Sequence, residues 1–135
     1  VGNADAFEAL LTTLADAPQP EIRQQAAEGL RWITPRGTAR VITELCYALG
    51  HDPDDAVRID AADALAEIAE RGDAKVLGVL VAQLSGAQLS EDMHLFLLCA
   101  LGKLAPTGDP QAVGLLGKGL RAGEAGRRGG RGAAA

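Results

Sequence analysis

The stretch "DPDDAVRIDAADALAEI", Asp52 to Ile68, decides the fold, because a segment built the same way, "PEIRQQAAEGLRWI", stands at Pro20 to Ile33. With Ile22 and Val57 aligned as position 0, both segments carry apolar residues at positions 0, 4, 5, 8 and 11. These are Ile22, Ala26, Ala27, Leu30 and Ile33 in the first, and Val57, Ala61, Ala62, Leu65 and Ile68 in the second. A third copy, "MHLFLLCALGKL", repeats the register with Met93, Leu97, Leu98, Leu101 and Leu104. The copies begin 35 and 36 residues apart. A one-sided apolar stripe with this period predicts an amphipathic helix whose stripe faces the core.

A further helical stretch precedes each copy: "ADAFEALLTTLADA", "GTARVITELCYALG" and "DAKVLGVLVAQLSG". A fourth, "DPQAVGLLGKGLRAG", follows the third copy. The boundaries carry helix punctuation: Gln19-Pro20 and Asp52-Pro53 as N-cap and first-turn proline, Ser90 before Glu91 and Asp92, and Pro35, Gly72 and Pro106 after the second helices. One helix pair offers too little apolar area against the entropy of ordering its residues, whereas stacked pairs share a continuous core. The expected fold is therefore all-α, a right-handed α-solenoid of stacked helix-turn-helix repeats. Its domain spans residues 1–121, with repeats at about 4–34, 35–71 and 72–106 and a partial unit at 107–121. Residues 122–135, rich in Gly, Arg and Ala, read as a flexible tail.

Composition narrows the function classes. Only 3% of the residues are aromatic, against 47% apolar overall, which favours helix packing through small side chains over a β-sandwich or barrel. Residues 1–121 hold 17 acids and 10 bases, a net charge of −7, and the tail adds +2. An acidic body argues against a nucleic-acid groove and against an anionic membrane surface. Cys46 and Cys99 are 53 residues apart and suggest neither a zinc site nor a disulfide framework. There is no signal-peptide pattern and no membrane-spanning run, so a cytoplasmic protein is expected. The initial Val suggests a processed or excised segment.

The pattern of Asp54 to Ile68, with Asp54, Val57-Arg58, Ala61-Ala62, Ala64-Leu65 and Ile68, resembles the second helix of HEAT-like repeats, including the subgroup first named from phycobilin lyase subunits. The resemblance covers about residues 4–121. It is closest in the second repeat and partial in the third, where His94 replaces Arg23 and Arg58 and Leu97-Leu98 replaces Ala-Ala. The period is also shorter than the roughly 40–47 residues usual for HEAT and armadillo units. Tetratricopeptide and ankyrin signatures are absent. The resemblance implies an interaction module, with Arg23 and Arg58 in a structural ladder of polar contacts between repeats.

No catalytic residue and no cofactor is assigned from the sequence. His51 and His94 stand in different repeats without the His-Glu pairs by which HEAT-like deoxyhypusine hydroxylases hold iron, so no metal site is expected. A thiol-imidazole pair of Cys99 with His94 is not expected within one helix, because the two point about 140° apart. Asp60, Asp63 and Glu67 read as a solvated acidic face rather than an acid/base set.

The candidate partner-binding surface is the outward face of the second helices: Gln24, Glu28 and Trp32, then Ile59, Asp63 and Glu67, then Leu95, Cys99 and Lys103. The resemblance implies that these helices line a concave groove. Trp32 is either the groove's anchor or a core residue packed on a neighbouring helix. An acidic groove predicts a basic or amphipathic helical peptide of a protein partner. A phycobilin lyase-like subunit, acting with a partner on a tetrapyrrole, is the alternative that the resemblance implies, and a DNA-repair glycosylase of the same general fold is disfavoured by the charge.

Overall fold

A computed structural model describes residues 2–86, 89–114 and 117. Six helices run through it: α1 (Gly2–Asp16), α2 (Pro20–Ile33), α3 (Ala39–His51), α4 (Asp55–Ile68), α5 (Ala74–Leu84) and α6 (Glu91–Leu104). Residues 110–114 are helical as well. Helices pair in sequence, α1 with α2, α3 with α4 and α5 with α6. The pairs then stack so that α2, α4 and α6 form one row and α1, α3 and α5 the other. The chain is an all-α helical repeat solenoid. The proposed tail at 122–135 lies outside the described residues.

Side-chain caps fix several starts. Asp54 accepts from the backbone N–H groups of Ala56 and Val57, Asp73 from Val76, Ser90 from Met93, and Asp109 from Ala112. Each satisfies N–H groups that a helix N-terminus leaves without an internal partner. Two expected caps differ. Gln19 makes no side-chain cap bond to α2, and α4 begins one cap later than Asp52-Pro53 suggested, with Asp54 as the N-cap. Asp52 is instead the C-cap of α3, its carboxylate accepting from the Asp54 N–H and pairing with Arg23.

The core lies between the two rows. At position 8, Leu30, Leu65 and Leu101 are buried, each worth roughly 1.5–3 kcal/mol on transfer from water. Ala26, Ala27, Ala61 and Ala62 are buried too, and such small side chains let neighbouring helices approach closely. In α6 the equivalent Leu97 is buried but Leu98 is only half-buried. The stripe also fails at the ends of α2. Ile22 is 38% and Ile33 45% exposed, whereas their counterparts Val57, Met93, Ile68 and Leu104 are buried.

The turns between repeats explain the difference at Ile33. Gly37 donates its N–H to the Ile68 carbonyl at 2.8 Å, and Gly72 to the Leu104 carbonyl at 2.7 Å. Each turn thus satisfies the carbonyl of position 11, at the end of the following repeat's second helix. Among the described residues no earlier turn does the same for Ile33. Gly37, Gly72 and Gly108 have φ of 85°, 86° and 79°, the left-handed region where a side chain is strained. At Gly37 an added Cβ would also come within 3.1 Å of the Glu70 carboxylate.

Candidate interaction face

Two arginines, Arg23 of α2 and Arg58 of α4, tie successive repeats together. Arg23 pairs with Asp52 through Nε to Oδ2 at 2.9 Å and Nη2 to Oδ1 at 3.1 Å, while Nη1 donates to the Ala17 carbonyl at 2.7 Å. Both side chains are nearly buried, and the Asp52 carboxylate raises the guanidinium's pKa further. Arg58 repeats the arrangement one unit on, donating to the Leu49 carbonyl at 2.8 Å and to the Gln83 side chain of α5. Each arginine therefore ties the end of its own repeat's first helix to the following repeat. A planar fork suits this task, since one group can serve a carbonyl and a side-chain acceptor at once. His94 takes the third place, and its Nε2 is buried without a hydrogen-bond partner among the described residues.

Of the nine predicted residues on the α2, α4 and α6 row, none is buried. Trp32 is 72% exposed, with the Arg31 guanidinium 5.3 Å from its ring centroid. Glu28, Leu95, Cys99 and Lys103 are exposed, and Gln24, Ile59, Asp63 and Glu67 are half-buried. Phe96, which the outward-face assignment omitted, is exposed beside them.

Most of the acids on this surface are not free. Arg31 donates to Asp63 at 2.8 Å and lies 3.9 Å from Glu67, Lys103 meets Glu67 at 3.2 Å, and Gln24 donates to Asp60 at 3.2 Å. The solvated acidic face expected at Asp60, Asp63 and Glu67 is therefore corrected to a strip of cross-helix polar contacts. Sequence reading missed Arg31 because it lies at position 9, off both the apolar stripe and the outward face. Ala66 occupies that position in α4 and reaches nothing charged. The α4/α6 seam accordingly keeps a depression of about 100 Å³ lined by Asp63, Ala66, Phe96, Cys99, Ala100 and Lys103.

The hydrogen bond and charge of Lys103 hold the Glu67 carboxyl below its ordinary range. Asp60 moves the other way. Burial pushes its carboxyl up, the Gln24 bond offsets part of this, and Glu28 and Asp63 add repulsion. Its folded pKa lies above its unfolded one, so the native state holds the proton more tightly. The stability it contributes is present below the unfolded pKa and is lost as pH rises through the folded one. Asp60→Asn, whose amide oxygen still accepts from Gln24, is expected to leave stability at neutral pH unchanged or higher. Urea unfolding at neutral and mildly acidic pH checks this. A loss above about 1 kcal/mol at neutral pH would mean that the ionised carboxylate stabilises the fold.

The two thiols separate cleanly. Cys46 is buried in α3, and burial pushes its thiol up to about 11; Cys99 is exposed on the candidate face. In the native protein at mildly alkaline pH, a chromogenic disulfide reagent is expected to label Cys99 rapidly and Cys46 only after unfolding, because the thiolate is the attacking species. Rapid labelling of both would place Cys46 outside the core. Among the described residues no group of three His, Cys, Asp or Glu could hold a metal ion, and no helix is long and apolar enough to cross a membrane.

Residues 1–66, spanning α1 to most of α4, match the family model of HEAT repeats. Over these residues the chain carries HEAT repeats. Its α5–α6 pair lies beyond the matched residues and continues the same stacking, with position 8 buried and the Gly72 turn bonded to Leu104. No curated protein and no solved structure matches the chain. HEAT repeats generally mediate protein–protein interaction.

Proposed function

We propose that this HEAT-repeat chain binds a protein partner in the cytoplasm along the α2, α4 and α6 row, acting as a non-catalytic scaffold whose second helices line a concave surface. The observation that carries this reading is Trp32. A tryptophan 72% exposed, braced by Arg31 and followed along the row by exposed Leu95 and Phe96, offers apolar area that the fold itself does not use. Exposed aromatic and aliphatic groups among charges are what a binding patch requires, with burial supplying affinity and charge supplying selectivity.

The pairing of Asp63 and Glu67 with Arg31 and Lys103 modifies the expected partner. The surface is a mixed-charge strip with Glu28 and Asp60 in excess, which favours an amphipathic helix with a modest basic character over a strongly basic peptide. The test uses the chain as bait, with quantitative mass spectrometry of what it retains. A partner held by wild type, lost by Trp32→Ala and by Leu95→Glu, and kept by Arg40→Ala on the opposite row supports the assignment. Retention by both face variants overturns it.

A further inference from the structure

A separate feature lies away from the second-helix face. A cavity of about 300 Å³ opens among the end of α1, the last two turns of α3 and the α3–α4 turn. This is the lower end of the size range for ligand pockets, large enough for one side chain. Leu14 and Ala48 give it an apolar floor, and the Arg23–Asp52 pair forms a wall that is already neutralised.

The rim is more specific. Tyr47 and His51, one turn apart on α3, stack with centroids 4.1 Å apart and planes 12° from parallel. His51 Nδ1 lies 3.1 Å from the Tyr47 carbonyl oxygen, which can only accept, so Nδ1 carries the proton in this contact and the ring is held in place. Both residues are exposed, so this flat pair faces solvent instead of completing the core. Glu44, one turn earlier on the same helix, also lines the cavity and forms no ion pair among the described residues. Glu21 and Asp54 add negative charge around Arg23 at its edge.

We infer that this cavity receives an arginine side chain of a protein partner, with the guanidinium stacked against the Tyr47–His51 pair and its N–H fork on the Glu44 carboxylate. The charge complementarity selects a cation. The planar platform beside a carboxylate selects guanidinium over ammonium, because a weakly hydrated planar cation can stack and donate at the same time. The aliphatic stem of the arginine covers the Leu14 and Ala48 floor. This inference does not depend on the second-helix reading.

The test titrates the full chain with the capped tripeptides Ac-Gly-Arg-Gly-NH2, Ac-Gly-Lys-Gly-NH2 and Ac-Gly-Glu-Gly-NH2, following the side-chain proton shifts of Tyr47 and His51. The arginine peptide is expected to give saturable shifts with a dissociation constant on the order of 1 mM. Glu44→Gln weakens it about fivefold, the scale of one partly exposed charged contact. Tyr47→Ala, followed at His51, removes saturation, whereas Glu70→Gln, on the exposed turn after α4, leaves it unchanged. Unaltered resonances in α6 verify that the variants keep the fold. Absence of saturable shifts at Tyr47 and His51, equal binding of the lysine or glutamate peptide, or undiminished binding to Glu44→Gln would each overturn the assignment.

Discussion

Leu65→Ala is expected to destabilise the solenoid by about 2–5 kcal/mol, the largest effect of any single truncation proposed here. Leu65 is fully buried in α4, which packs on α2, on α3 and on α6. The lost methyl groups leave a cavity lined from several sides, which limits how far the neighbours can relax into it. In a stacked array, coupling between units passes through the central one, so the variant is also expected to broaden the urea transition and lower its apparent slope. Leu11→Ala is the comparison. Leu11 is buried in α1, a helix with neighbours on fewer sides, and its truncation should cost less and leave the slope unchanged. Far-UV circular dichroism against urea reads both quantities. Equal losses for the two variants would show that the repeats do not fold as a linear array.

Trp32→Ala is expected to leave the fold nearly unchanged and to act on binding. Its ring is largely in solvent, so its stabilising contact is the cation–π approach of Arg31, worth about 0.5–1 kcal/mol at an exposed site. Unfolding stability should therefore shift by no more than about that amount. Affinity for the partner that wild type retains should fall on the order of 30-fold or more, the scale of an aromatic hot spot buried on binding. Calorimetric titration of the purified pair, beside a urea curve of each variant, measures the two effects separately. A large stability loss with unchanged affinity would return Trp32 to a structural role. The Arg31 bridges to Asp63 and Glu67 tie α2 to α4, and salt should weaken them because they are only partly buried.

The six helices, their order and their pairing into stacked units were legible in the chain because helix formation and the apolar stripe are local properties, set by 3.6-residue geometry. The three left-handed glycines, Gly37, Gly72 and Gly108, were legible in principle as well, since their spacings of 35 and 36 residues equal the repeat period. Their role was not, because donation from Gly37 to Ile68 and from Gly72 to Leu104 joins one repeat to the next. The same distinction separates right from wrong at the ends of the stripe. Ile22 and Ile33 hold the same stripe positions as Val57 and Ile68 and are still exposed, and of the described residues none donates to Ile33 as Gly37 does to Ile68.

The site followed the same division. Which residues point outward from α2, α4 and α6 follows from helical phase, and the sequence by itself determined that much, together with the all-α repeat architecture. Only the tertiary structure decided that Trp32 stands in solvent, that Asp52 pairs with Arg23, that Arg31 bridges to α4, and that Glu44, Tyr47 and His51 flank a cavity. Each of these depends on the distance and register between helices far apart in the chain. Interlocking side chains set those quantities across the whole stack, and no local periodicity encodes them.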